Sequence, residues 1–364
     1  MTAMYSRIRT VSDGEQITQP GIYEVPIRRY HHDPNLFPGH SVSSTGLRRI
    51  LNLSPKHYWA HCVHNPNRIP SKTSEALRFG KGVHSFLLER KLSPQEFAIC
   101  PFKDWNTNEK KEMTWRETIE TEDVLGEKSV KVLTQKGWKD ENGNKFKNYL
   151  EYKKMWKAFA EWADLTIITE KDIAKFKDMA LALSDDPVIR DGLFDGEVEK
   201  TIVWQDPQTG IWVKIRPDVV PSDKIMADYK SVRSAKPVDV DKSISEYGYD
   251  MQMALFQEGI SRVLGKTIES AVLVPQEKEP PHVHEISVID PNTLWWGARQ
   301  NRKALDKLGA CLEAGEFGGY TEGPATSQHA NWKMTQLLNQ HEFDPFPEIP
   351  GNYLETIAGK VKKG

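Results

Sequence analysis

The run Ile211-Trp-Val-Lys-Ile-Arg-Pro-Asp218-Val-Val-Pro-Ser-Asp-Lys-Ile-Met-Ala-Asp228-Tyr-Lys230 reads as two short apolar strands joined by a turn at Pro221, Ser222, Asp223 and Lys224. Residues two apart on a strand share a face, so Asp228 and Lys230 project together while Tyr229 turns its side chain away and leaves its carbonyl free. A hairpin here brings Asp218, at the end of one strand, near Asp228 on its neighbour. Two carboxylates in one small volume need a raised pKa or a cation. Oxygen donors with little sulfur nearby point to Mg2+ or Mn2+. A lysine beside such an ion can orient water or stabilise charge building up on a phosphate. The chemistry indicated is hydrolysis of a phosphodiester. The spacing alone is weak, because Asp-x-Lys occurs by chance in any charged protein, and on these three residues a solvated hairpin edge is the favoured account.

The surroundings strengthen the reading. Val198 to Gln205 predicts a strand, with Glu199 at its start, Asp206-Pro-Gln-Thr-Gly210 a turn, and Ile211 to Pro217 the return strand. Upstream, Phe79, Val83, Phe86 and Leu87 recur at helical spacing, which puts His84 on a face away from that apolar stripe. A single histidine there is more often a cap or surface group than a ligand. Downstream, Tyr249, Gln252 and Phe256 fall at i, i+3 and i+7 of a helix, a pattern that ordinary packing also produces.

Taken in order, the set is Gly-x-x-x-His84, Glu199, Arg-Pro-Asp218, Asp228-x-Lys230 and Gln252. This order resembles the RecB-like branch of the PD-(D/E)xK nuclease superfamily. The flanking Pro20-Gly-Ile-Tyr23, Tyr30-His-His-Asp33, Ser43-Ser-Thr-Gly-Leu47, Ser54-Pro-Lys-His57 and Phe79-Gly-Lys-Gly-Val-His84 narrow the likeness to RecE (exodeoxyribonuclease VIII-like) phage recombination exonucleases. The resemblance implies an α/β, restriction-endonuclease-like core with a mixed, mostly antiparallel sheet flanked by helices. It implies His84, Asp218, Asp228 and the Tyr229 carbonyl as metal ligands, and Glu199 beside the ions, two of them, Mg2+ or Mn2+. Lys230 becomes the catalytic lysine, and Gln252 steadies the lysine or the reacting strand. Arg216, Ser231 and Arg233 are the expected DNA contacts. Relatives degrade linear double-stranded DNA from 5′ ends, leave 3′ overhangs for a single-strand annealing protein, and form closed homo-oligomers. One departure stands out: where that branch often has tyrosine four residues after the glutamine, this chain has Phe256.

With 38% hydrophobic residues, the 364-residue chain can bury a sizeable core, and 49 Lys+Arg against 51 Asp+Glu exclude a globally basic nucleic-acid binder. Any DNA groove is therefore local; Lys200, Lys214, Arg216, Lys224, Lys230, Arg233 and Lys236 are candidates to line it, with a solvated sheet edge the alternative, above all for Lys200 and Lys224. Cys62, Cys100 and Cys311 lie too far apart for a disulfide framework, a zinc knuckle or a four-cysteine cluster. No apolar run approaches the ~20 residues of a membrane span, and no signal-peptide h-region opens the chain, so a cytoplasmic site in a bacterial host or phage-infected cell is expected.

The predicted organisation is a flexible lead-in over residues 1–19, a single nuclease domain over 20–320 and an extension over 321–364. A polar insertion near 105–150, with a hairpin from Ser129–Thr134 to Asp140–Asn144, interrupts the domain. Helices are expected at Ser44–Leu51, Ser54–Cys62, Thr169–Leu183, Tyr247–Leu264 and Asn292–Glu313, the last burying Leu294, Ala298, Leu305, Leu308 and Leu312. Strands are expected at Ala271–Pro275 and Val283–Val288. Gly259 to Thr267 fails as a phosphate-binding loop, having five residues between its glycines and following a helix. His61-Cys-Val-His64 and His282-Val-His284 lack partners for a metal shell. Trp295-Trp296 suits core or subunit contact better than base stacking.

Overall fold

Alternating apolar residues build the central strands of this computed structural model, which describes residues 8–70, 74–93, 96–100 and 165–321. The first half contains β1 (Ile8–Thr10), β2 (Gly21–Glu24), α1 (Ile27–His32), β3 (Ser41–Ser43), α2 (Ser44–Asn52), α3 (Pro55–His61) and α4 (Glu75–His84). A π-helical turn over Ser85–Glu89 extends α4, and β4 (Phe97–Cys100), β5 (Thr166–Thr169) and α5 (Glu170–Ser184) follow. The second half contains β6 (Gly196–Val198), β7 (Thr201–Gln205), β8 (Trp212–Ile215), β9 (Val219–Pro221) and β10 (Ile225–Val232). Last come α6 (Pro237–Tyr247), α7 (Tyr249–Leu264), β11 (Ser270–Glu277), β12 (Ser287–Val288) and α8 (Pro291–Ala314). The expected insertion hairpin and the extension beyond residue 321 lie outside the described residues.

The sheets are mixed. Five strands run in the order β1-β2-β7-β8-β3, three in the order β10-β11-β12, and β4-β5 and β6-β9 form pairs. Ile202, Trp204, Val213 and Ile215 face a core shared with α2, α7 and α8, while Val203 and Trp212 face a second cluster with Tyr23, Tyr30 and Phe37. That is the period of two read from β7 and β8. β10 and β11 are parallel over eight residues, Ile225↔Ser270 through Val232↔Glu277. Both their faces are covered: Met226, Ala271 and Leu273 meet the α7 side, whereas Tyr229, Val272 and Val274 meet Phe79, Val83 and Phe176 of α4 and α5. Helices on both faces are what a parallel pair requires.

The helix termini follow the sequence closely. Ser54 caps α3 by accepting from His57 N–H, with Pro55 in the first turn. Thr169 and Asp172 close a capping box on α5. Arg78 of α4 donates to both Asp172 and the Ile167 carbonyl, so one guanidinium joins α4 to the start of α5.

Several expectations are corrected. The hairpin across 221–224 is not a ladder: β9 pairs antiparallel with β6, and β10 takes β11 as its partner. Val198–Gln205 is broken at Glu199, whose φ of 55° interrupts the extended chain between β6 and β7. Tyr247–Leu264 is two helices, because Gly248 enters the left-handed region at φ 66° and ends α6. The α8 stripe keeps the expected Leu305 and Leu308 in the core, with Leu294 and Leu312 packed against it, but it runs through Gly297, Asn301 and Ala304 and leaves Ala298 exposed. Residues 8–10 of the expected lead-in form β1, and Val11 and Ile17 are buried. Among the described residues no helix is long and apolar enough to cross a membrane.

Gly297, not Ala298, faces α7 at the closest approach of the two helices. A Cβ there would lie 2.3 Å from the Asp250 carbonyl oxygen, so only glycine lets α8 approach the first turn of α7. Gly297→Ala is expected to destabilise the protein by about 1–3 kcal/mol through overpacking, read as a lower urea midpoint at unchanged slope.

Candidate metal centre

Four segments of the chain deliver the imidazole, the carboxylates and the lysine, and α7 adds Gln252. His84 is the last residue of α4, where the helix widens into its π turn. Such widened turns often occur at functional positions. Gly82 allows the helix to seat there: a Cβ would meet Ile168 Cδ1 at 2.5 Å and Phe176 Cζ at 2.8 Å. With Val83 buried among these groups, His84 points to the opposite side, as its spacing implied. Glu199 sits at the β6–β7 break, its N–H donating to the Asp218 carbonyl at 3.1 Å. Asp218 immediately precedes β9, and Asp228, Tyr229 and Lys230 lie on β10.

His84 bridges two carboxylates, with Nδ1 3.1 Å from Glu199 Oε1 and Nε2 2.8 Å from Asp218 Oδ1. Asp218 Oδ2 accepts the Tyr229 N–H at 2.6 Å. Lys230 contacts Asp228 Oδ2 on the same face of β10, and Gln252 Nε2 of α7 reaches Asp228 Oδ1 at 3.3 Å. The far oxygen of Glu199 takes Arg216 Nε at 2.5 Å, and Arg216 also donates to the Val25 carbonyl at 2.9 Å. The predicted residues His84, Glu199, Asp218, Asp228, Tyr229, Lys230 and Gln252 therefore converge.

The expected DNA contacts do not share one place. Arg216 is committed to Glu199 and to backbone. Ser231 turns toward α4, its Oγ 3.6 Å from where a Cβ on Gly80 would stand, and Arg233 is exposed at the end of β10. Two further residues belong to the site. Lys230 Nζ lies 5.0 Å from the centroid of the Tyr249 ring, a cation–π contact that shields the ammonium. Arg48 of α2 donates to the Tyr247 carbonyl at 2.6 Å, above the α6–α7 junction. Tyr249 had a signal, one helical turn before Gln252, though packing explained it equally. Arg48 had none, because its partner is 199 residues away in the chain. Phe256 is buried in the core and offers the site nothing.

Charge explains the protonation pattern. Burial opposes the His84 imidazolium, but Asp218 and Glu199 outweigh it and its pKa rises to about 9. Burial raises the Asp228 carboxyl, and Asp218 beside it raises it further. Asp218 is held below the usual carboxylate range: burial pushes it up, and His84, Lys230 and the Tyr229 N–H prevail. Burial also raises Glu199. Lys230 would be lowered by burial, yet Asp228 and Asp218 hold it above its ordinary value, so it is a cation at neutral pH.

The donor set fits a divalent cation. One ligand atom each from His84, Glu199 and Asp218 lie within 4.8 Å of one another. Asp228 Oδ2 is fully buried and, although close to the Lys230 ammonium, accepts no aligned hydrogen bond. One imidazole with carboxylate oxygens suits Mg2+ or Mn2+ better than a thiophilic metal. The other candidate motifs are structural: His61 bonds the Ile69 carbonyl, His64 the Ser41 N–H, and His284 the Asp186 carboxylate.

Fold and site together define an α/β nuclease-type domain with an acidic centre whose donor set fits a cation. Residues 43–329 match the model of the PDDEXK-like domain of unknown function (DUF3799), and the chain belongs to that family. This agrees with the RecE-like, PD-(D/E)xK resemblance of the sequence. A crystal structure from Eubacterium rectale, described as a "putative exonuclease", aligns with a TM-score of 0.50 at 12% identity, covering 86% of this chain and 99% of that one. At such identity the likeness speaks for the fold. No curated protein matches the sequence.

A pH dependence follows from His84. Its folded pKa lies above the unfolded value of about 6.5, so its stabilisation is complete below that pH and is lost as pH rises through about 9. In chelator, the wild type is expected to lose on the order of 2 kcal/mol across this window relative to His84→Gln. Parallel thermal-melting profiles of the two proteins would contradict this.

Proposed function

We propose that the protein is a divalent-metal-dependent exodeoxyribonuclease that digests linear double-stranded DNA from 5′ ends and leaves 3′ overhangs for a single-strand annealing protein. The observation that carries the reading is the convergence of His84, Glu199 and Asp218 beside the Asp228–Lys230 pair on a PDDEXK-like fold. His84, Asp218, Asp228 and the Tyr229 carbonyl would hold the metal, with Glu199 next to it. The Tyr229 N–H leaves β10 on the Asp218 side, and the carbonyl of an extended residue leaves by the same edge. Divalent ions in this donor set supply Lewis-acid stabilisation of charge at a phosphate.

The remaining residues orient these groups. Arg216 fixes the rotamer of Glu199, and Gln252 fixes Asp228. Lys230, kept charged by its two aspartates, steadies negative charge on the reacting phosphate rather than removing a proton. Arg233, exposed just past the end of β10, contacts the DNA backbone. Ser231 faces α4 and Arg216 is occupied, so their part in DNA binding is indirect. The proposed setting is the cytoplasm of a bacterial host or phage-infected cell, with the chain in a closed homo-oligomer around duplex DNA.

Purified protein with Mg2+ or Mn2+ is expected to degrade linear duplex and spare covalently closed circles. Asp218→Ala and Lys230→Ala should each lower cleavage by roughly a hundredfold or more, while DNA binding measured in chelator stays near wild type. Equal attack on circles would replace the exonuclease by a site- or structure-specific endonuclease of the same superfamily. Absence of any metal-dependent cleavage would leave a DNA-end binding module.

A further inference from the structure

The two tryptophans that open α8, expected in the core or in a subunit contact, lie on the surface. Trp295 is 50% and Trp296 59% exposed, and their rings meet edge to face at 4.7 Å. Trp295, Arg299 and Arg302 recur at i, i+4 and i+7, so they share one face of the helix. With Glu258 and Arg262 of α7 and Asp206 of the β7–β8 turn, they line a depression of about 350 Å³. None of these residues belongs to the acidic centre.

The chemistry of this hollow is specific. Three guanidiniums face two carboxylates there, in a protein whose formal net charge is -2. Arg302 is tied to Asp206 at 2.7 Å, and Arg262 uses its Nε on Glu258 at 2.7 Å. Arg299 pairs with no carboxylate among the described residues, and its guanidinium sits 5.0 Å from the centroid of the Trp295 ring. An exposed indole flanked by cations offers stacking to a flat aromatic group and charge to an anion bonded to it. That combination is a nucleotide. In a duplex the base faces are covered by their neighbours, so an indole platform selects unpaired bases. A protein-docking face would instead spread apolar surface over several hundred Å².

We propose that this face of α8 binds single-stranded DNA, with Trp295 as the stacking platform and Arg299 and Arg262 contacting phosphates. The proposal rests on the nuclease reading, since the single strand at hand is the one left by digestion. It places a second DNA contact on the molecule, on the helix that packs against the start of α7.

The test uses the full chain in chelator, where no cleavage occurs, and fluorescence anisotropy of a labelled oligothymidylate. Trp295→Ala and Arg299→Ala should each weaken oligonucleotide binding by roughly tenfold, with duplex binding little changed. Trp295→Phe, which keeps a ring, should retain most of the affinity. Wild-type affinity in both alanine variants overturns the proposal. So does a wild-type dimer that the variants dissociate without any effect on the oligonucleotide, which would assign the face to self-association. Cleavage of linear duplex with Mg2+ is read in parallel. A wild type that binds the oligonucleotide through Trp295 but cuts nothing loses the nuclease reading and keeps this surface. A wild type that cuts, with Trp295→Ala binding as it does, loses the surface alone.

Discussion

Glu199, Asp218 and Asp228 crowd three carboxylates into one poorly solvated volume, and much of the structure around them serves to make that tolerable. Two like charges ~4 Å apart repel by about 4 kcal/mol at an effective dielectric of 20, against a total stability of only about 5–15 kcal/mol for a typical protein. Cations must therefore be delivered to the same place. His84 comes from α4, Arg216 from just after β8, and Lys230 from β10. Because those cations stand on separate elements, the centre exists only when α4 is seated on β10 and β6 to β9 are in register. The same crowding makes a donor set that fits a divalent ion, which would neutralise the carboxylates more completely than a shared proton does.

The backbone bends to meet this demand at two places. Glu199 adopts a left-handed conformation that costs a residue with a Cβ about 1–2 kcal/mol. Its side chain and its N–H are held by Arg216, His84 and the Asp218 carbonyl. Those contacts offset the strain and aim the carboxylate. At the other place, α4 passes into a π turn directly after His84. Both irregularities are local departures from regular structure beside the acidic centre, and such departures are most often retained at functional positions.

α7 connects the two regions of interest. Its first turn supplies Tyr249 and Gln252 to the Lys230–Asp228 pair, and its last turns supply Glu258 and Arg262 to the hollow beneath Trp295. α8 is pressed against the beginning of α7 through Gly297, and Gln300 and Asn301 bond Asp250 and the Met251 carbonyl. The charged centre and the aromatic platform thus sit on one packed helix pair.

Much of this was legible in the chain. The pairing of Asp228 with Lys230 follows from the period of a strand, and the burial of Tyr229 on the other face follows with it. The caps at Ser54 and Thr169 are local hydrogen bonds, so local sequence reveals them. The placing of His84 away from Phe79 and Val83 is likewise a matter of helical phase. Tertiary packing settled what depends on distant partners. Whether β9 joins β10 or β6 and where Arg216 spends its guanidinium are both set by contacts between segments far apart in the chain. Arg48 and the left-handed Glu199 fall in this second group, since neither carries a mark in its neighbouring residues. Short-range hydrogen bonding and periodicity are written in consecutive residues, whereas the balance of buried charge is struck only when separate elements meet.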